Sequence, residues 1–354
     1  MSTSLARFGR LLGRSPLLIL LIVLVIVVQL MTGAQLTWPN LRGVLLDSAV
    51  TLTIAAPLAM LVIAGQIDLS VGSTLALGGV IAGQVANNGH GSTLVALLAA
   101  ILAGALVGVV HGALSTYGRR SSFIVTLGTL TAVRGAAQLL SPTPSGNYGP
   151  GFGFLGVGLV AAVPVSVWIS VLLVVVLAAF LAWTPTGRHV YAIGINPEAA
   201  YLSGIHVRRV PFGLFVACGA AAGLAGAFTA ARLNSAPAGQ LGLGFELTAL
   251  TAVLLGGVAL TGGKGSMGGV VVGVLFLGLL KNGLTLLHVT TFWQQVASGL
   301  ALIVAVAISL LSQRVRPVRT VDPAPAIPEE SGPADLSPAA HDTNPAHKSL
   351  AMSS

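Results

Sequence analysis

Charge is what this chain has least of. Asp, Glu, Lys and Arg make up 7% of its 354 residues, against about 25% in soluble domains. So few charged side chains cannot coat a water-facing surface, which excludes a soluble globular protein. Cysteine is almost absent too: Cys218 stands alone inside an apolar run, so no disulfide forms within the chain. Catalytic groupings are missing as well. The seven histidines are scattered, and no pair has metal-ligand spacing on one helical face. No Gly-x-Ser-x-Gly nucleophile turn occurs. The run Gly263-Lys264-Gly265-Ser266 suggests a phosphate loop, but Val258 occupies the position of the first glycine. Gly265, not Ser or Thr, follows the lysine. The chain is therefore expected to hold neither a metal nor ATP, and not to be an enzyme.

What it has is apolar length. Hydrophobic residues are 55% of the chain, glycines number 45, and the mean hydropathy is +0.92. The apolar runs are continuous and far longer than barrel strands, so the class is all-α, a polytopic integral membrane protein with about ten transmembrane helices. Abundant glycine suits close helix–helix packing in lipid. The formal charge of +8 does not signal nucleic acid, because the basic residues gather in loops of one face, as the positive-inside rule requires.

Taken in order, spans are expected at about Pro16–Leu30, Val44–Ala64, Ser73–Ala86, Thr93–Thr116, Phe123–Leu140, Gly158–Trp183, Pro211–Ala231 and Leu247–Leu260. A ninth ends near Leu287, and a tenth covers Gln294–Leu311. Arg7, Arg10 and Arg14 precede the first. Arg119 and Arg120, then Arg188, Arg208 and Arg209, then Lys264, and finally Arg314, Arg316 and Arg319 mark the internal side. Both termini are thereby expected in the cytoplasm. The Pro/Gly segment Ser141–Phe154 reads as an external loop across the mouth of the bundle. The organisation expected is a cytoplasmic N-terminus (1–15), a transmembrane domain (16–312) containing a cytoplasmic loop (184–210), and a disordered, Pro/Ala/Ser-rich tail (313–354).

Ionisable residues inside the spans are few: Asp47, Arg134, Glu246 and Lys281. Asp47 and Glu246 are expected near span ends, where hydration makes them inexpensive. This thin set argues against a proton-coupled secondary carrier. The internal loop Gly65–Gly72 carries Asp68 but no basic residue. Asp68 or Ser70 is placed to cap the helix that follows, and a capped turn accounts for both.

The longest polar interruption is TPTGRHVYAIGINPEAAYLSGIHVRRVP, Thr184 to Pro211. Its centre spells a helix start: Asn196 as N-cap, Pro197 at the first helical position, Glu198 at the positive end of the dipole. Ala199, Ala200, Tyr201 and Leu202 continue it, and Gly204 ends it. Two turns are too few to be stable alone in water, since isolated helices below about 12 residues are marginal. A helix of this kind between two spans wants a partner to dock against.

Four stretches then resemble bacterial ABC importer permeases of the monosaccharide (ribose/xylose/autoinducer-2) branch. They are IDLSVGSTLAL (Ile67–Leu77, with Asp68, Ser70 and Gly72), SSFIVTLGTLTAVRG (Ser121–Gly135), TGRHVYAIGINPEAAYLSGI (Thr186–Ile205) and GGVALTGGKGSMGGVVVGVLFLGLLKNGL (Gly256–Leu284). They fall in the family's order across about Asn40–Leu311. Gln66 stands where glycine is usual, and Pro197 where a polar residue is common. The resemblance implies the permease subunit of an ATP-driven importer in the bacterial inner membrane, moving a monosaccharide by alternating access. It further implies a second permease chain, most simply an identical one, and two ATP-binding subunits that carry ATP and Mg. An extracytoplasmic sugar-binding protein completes the set. Residues Asn196 to Gly204 would be the coupling helix gripped by the ATPase. No substrate-binding residue is implied. A branched-chain amino-acid permease of the same superfamily is the nearest alternative.

Overall fold

A computed structural model describes residues 16–87, 92–118 and 120–314; the N-terminal segment 1–15 and the tail beyond residue 314 lie outside them. The described chain is a helical bundle. In chain order its helices are α1 (Pro16–Thr32), α2 (Trp38–Ile63), α3 (Val71–Asn87), α4 (Thr93–Gly112), α5 (Ser122–Leu140), α6 (Pro150–Val157), α7 (Val165–Trp183), α8 (Pro185–Ile195), α9 (Pro197–Leu202), α10 (Arg209–Leu233), α11 (Phe245–Leu255), α12 (Met267–Leu286) and α13 (Thr291–Arg314). A single π-helical turn, Ala113–Tyr117, prolongs α4.

Every stretch read as a span contains a helix. Among the described residues, six of these are long and apolar enough to cross a membrane: α2, α4 with its π turn, α5, α7, α10 and α12. Helices α1, α11 and α13 include the shorter apolar segments. The protein is a helical polytopic membrane protein.

Helices α2 and α10 form the buried axis, while α4, α5 and α7 leave most of their surface open. Apolar burial does not drive helices together in lipid, where tails are as apolar as leucine; backbone approach does. Glycine makes that approach possible here. A Cβ on Gly104 of α4 would collide with the carbonyl of Gly219 on α10, and one on Gly223 with the carbonyl of Ala100. A Cβ on Gly78 of α3 would lie 2.6 Å from the Cα of Gly223.

Two regions differ from expectation. The segment Ser141–Phe154 is ordered rather than a plain loop. Its strand β1 (Ser145–Gly146) pairs antiparallel with β4 (Ser235–Ala236), and α6 buries Phe152 and Leu155, packing Gly156 against the backbone of Ala231 and Arg232. Aromatic residues supplied the anchors that its Pro/Gly composition concealed. The sixth span starts later than expected, at Val165, because Leu159–Val160 (β2) and Val163–Pro164 (β3) form a hairpin instead.

Candidate functional site

The segment between α7 and α10 folds as two helices. The second, α9, matches its sequence signals closely. The Asn196 carboxamide oxygen accepts from the N–H groups of Glu198 and Ala199, each at 3.0 Å. At the other end Gly204 has φ +79°. Its N–H donates to the Tyr201 carbonyl and that of Ile205 to the Ala200 carbonyl, both at 3.0 Å. That pair of bonds is the left-handed glycine stop, which closes otherwise orphaned carbonyls. Ala200 alone is buried in α9. Tyr201 and Leu202 of α9 stand 67% and 81% exposed and Ile195, at the end of α8, 72%, an apolar knob around the junction of the two helices.

The first helix, α8, was missed by sequence reading, although its signal was present. Thr184 caps it, accepting from the Gly187 N–H at 2.9 Å, and Pro185 follows at the first position. The threonine–proline pair is the same kind of start signal as Asn196–Pro197. Helix α8 is the base of the platform. It buries Val190 and Ile193, and a Cβ on Gly194 would strike the Ile63 carbonyl at the end of α2. The same carbonyl accepts from the Gly263 N–H at 2.8 Å, and the Tyr191 hydroxyl donates to the Gly265 carbonyl at 3.1 Å. Burial pushes the Tyr191 phenol pKa up, so it stays a neutral donor. The glycine-rich turn Thr261–Gly269 thus joins α2 and α8. Lys264 lends it a carbonyl, which accepts from the Ala259 N–H at 3.0 Å.

The loop Gly65–Gly72 does more than turn. The Asp68 carboxylate takes the Ser70 N–H at 2.8 Å and its hydroxyl at 2.7 Å, as a capping residue would. It is also 2% exposed, and its other oxygen lies 3.4 Å from Nδ1 of fully buried His111. His111 Nε2 meets the Thr129 hydroxyl at 2.7 Å. The network ties the loop to α4 and α5, and its histidine sits two residues before the π turn. Sequence reading did not single out His111, because nothing local marks a partner 43 residues away in sequence. The π turn in turn adjoins α9: Thr116 and Tyr117 share a cleft of about 830 Å³ with Glu198, Tyr201, His206 and Arg208.

Gly72 sits at the start of α3, where a Cβ would collide with the carboxylate of Glu246 and the carbonyl of Gly242. This corrects the placing of Glu246 at a hydrated span end. Gly78 and Gly79 lie against Gly223 and Gly226, so Gly72, about 9 Å earlier along the helix, is level with the middle of α10. The first turns of α3 and α11 therefore meet half-way through the bundle. Arg134 of α5 donates to the carbonyls of Ala238 (3.1 Å) and Leu241, pinning the non-helical stretch that precedes α11. Asp47 is paired with Arg232 at 2.5 Å. Among the described residues no group of His, Cys, Asp and Glu is arranged to hold a metal.

Residues 40–306 match the family described as branched-chain amino acid transport system / permease component. The chain belongs to that family. Its relatives include the ribose import permease protein of Escherichia coli strain K12, 37% identical over 296 residues, covering 82% of this chain and 92% of the relative. The ribose import permease protein of Bacillus subtilis strain 168 is 38% identical over 291 residues, covering 81% and 90%. The D-allose transport system permease protein of Escherichia coli K12 is 35% identical over 295 residues, covering 83% and 90%. No solved structure gives a significant match. The matched span takes in α2 to α12 and most of α13, including the platform and the meeting of α3 with α11.

Proposed function

We propose that this chain is the membrane-spanning permease subunit of an ATP-driven importer that carries a monosaccharide into the bacterial cytoplasm by alternating access. The observation that carries the reading is α9: a capped, pre-shaped helix with exposed Tyr201 and Leu202, set beside exposed Ile195 at the end of α8 and backed by the glycine joint between α8 and α2. A helix too short to persist alone is held ready there for a partner. In this reading Asn196, Pro197, Glu198, Ala199, Ala200, Leu202 and Gly204 form the element that an ATP-binding subunit grips. ATP and Mg reside on that subunit and not on this chain. Closure of the ATPase pair moves α9, and the joint passes the motion to α2 as a rigid-body displacement.

The chain crosses the inner membrane ten times with both termini in the cytoplasm. The short helices α3 and α11 are completed by the irregular stretches before them, as half-helices in transporters are. A second copy of the chain completes the pathway, and an extracytoplasmic binding protein delivers the sugar. The relatives named for ribose and D-allose favour a sugar over a branched-chain amino acid. The ion pair between Asp47 and Arg232 removes one candidate proton carrier, which disfavours a secondary carrier.

The test is reconstitution in vesicles with the ATP-binding subunit and the binding protein, assaying ribose, allose, arabinose and leucine. ATP-dependent uptake of one of the sugars is expected. Uptake of leucine alone would favour the amino-acid reading, and uptake driven by a proton gradient without the ATPase would overturn the importer.

A further inference from the structure

We propose that a cavity of about 490 Å³ between α11, α12 and α13 is a transit site where a monosaccharide is held inside the permease. The inference rests on the import reading and adds to it the residues that touch the sugar.

The lining is too polar to face lipid. Thr248 and Thr251 come from α11, Lys281 from α12, and Gln294, Gln295 and Ser298 from α13. In hydrocarbon each such group needs a partner. Their bonding leaves capacity for a guest. The Thr248 hydroxyl donates to the Gly244 carbonyl at 3.3 Å, that of Thr251 to the Leu247 carbonyl at 2.6 Å, and that of Ser298 to the Gln294 carbonyl at 2.9 Å. With their protons committed, these oxygens still accept. Lys281 Nζ has three donors, and its contact among the described residues is Thr248 Oγ1 at 3.5 Å. The ring therefore offers donors from Lys281 and Gln295 beside acceptors from the hydroxyls. Sugar hydroxyls both donate and accept, and that pairing suits them. No carboxylate lines the cavity, and Asp47, which acts on Lys281 from outside it, is paired with Arg232, so the ammonium stays open to neutral oxygens.

Position supports the same guest. Helix α11 begins half-way through the bundle, and the cavity is lined by its first turns. Where a spanning helix is broken at mid-depth, its freed backbone is tolerated because it faces a polar cavity. The volume lies within the range of about 300–1,000 Å³ usual for small-molecule sites. A lipid headgroup entering from the side is the competing occupant, and the experiment separates it.

Two measurements test the site in the reconstituted importer. First, Lys281→Met and Gln295→Leu keep side-chain volume but remove donors. Each is expected to lower sugar uptake roughly tenfold, with ATPase binding and stimulation by loaded binding protein retained. Second, Ser298→Cys, made in a Cys218→Ala chain, is expected to react with a water-soluble, membrane-impermeant thiol reagent and to be protected by the imported sugar. Parental uptake by both donor-deleted chains would overturn the site, as would labelling that sugar never slows. Failure of the Ser298→Cys chain to label in any state would mean a dry or lipid-filled cavity and would also overturn it. No uptake of ribose, allose or arabinose by the unsubstituted importer would instead overturn the import reading, and the site with it.

Discussion

Gly204 allows the coupling assignment to be tested through backbone conformation alone. Its φ is +79°, and a Cβ built there meets nothing within 4 Å. Substitution consequently causes no clash, and its cost is the left-handed backbone itself, about 1–2 kcal/mol for an ordinary L-residue. Asparagine tolerates that conformation far better than valine, whose branched Cβ makes it worse. Helix α9 has six residues and few bonds to spare. An increment of about 1–2 kcal/mol changes the population of a two-state segment by roughly 5- to 30-fold. Gly204→Val is thus expected to reduce sugar-stimulated ATP turnover and uptake by about that factor, with Gly204→Asn close to the parent. Membrane insertion should be equal, since the residue is exposed and outside the bundle. The assays are co-purification of the ATP-binding subunit and ATP hydrolysis in liposomes with and without binding protein and sugar. If Val, Asn and parent behave alike, α9 is an ordinary surface helix and the docking assignment fails.

Three further outcomes are expected. His111→Leu leaves the buried Asp68 carboxylate without its imidazole. That should destabilise the protein by about 1–3 kcal/mol, seen as a lower thermal midpoint in detergent, with part of the loss recovered in Asp68→Leu/His111→Leu; an unchanged midpoint in the single variant would refute the pairing. Gly194→Ala drives a methyl into the Ile63 carbonyl, a tight-packing fault of about 1–3 kcal/mol. It should impair uptake with the ATPase still bound, whereas normal uptake would show that the joint transmits nothing. For orientation, Thr143→Cys should react with an impermeant thiol reagent added outside intact cells and Tyr201→Cys only after the cytoplasmic face is opened. The reverse pattern would invert the topology.

Some of this molecule could be read from the chain directly, because the determining interactions are local. The low charge and long apolar runs dictate membrane helices. Asn196-Pro197-Glu198 and Gly204 specify α9 through bonds that span at most five residues, so start and stop are legible letter by letter. Thr184-Pro185 carried the same information for α8 and went unread, because a polar loop between spans was expected there. Other features depended on tertiary structure. His111 looks like any residue near the end of an apolar helix until packing brings Asp68 and Thr129 to its two nitrogens. Glu246 sits at the start of a helix in both views, but only the docking of α11 against Gly72 puts that start half-way through the bundle. The polar cavity beside it draws Thr248, Lys281 and Ser298 from three helices. No local pattern encodes that meeting, since a helix shows which of its faces is polar but not how deep in the membrane that face will come to rest.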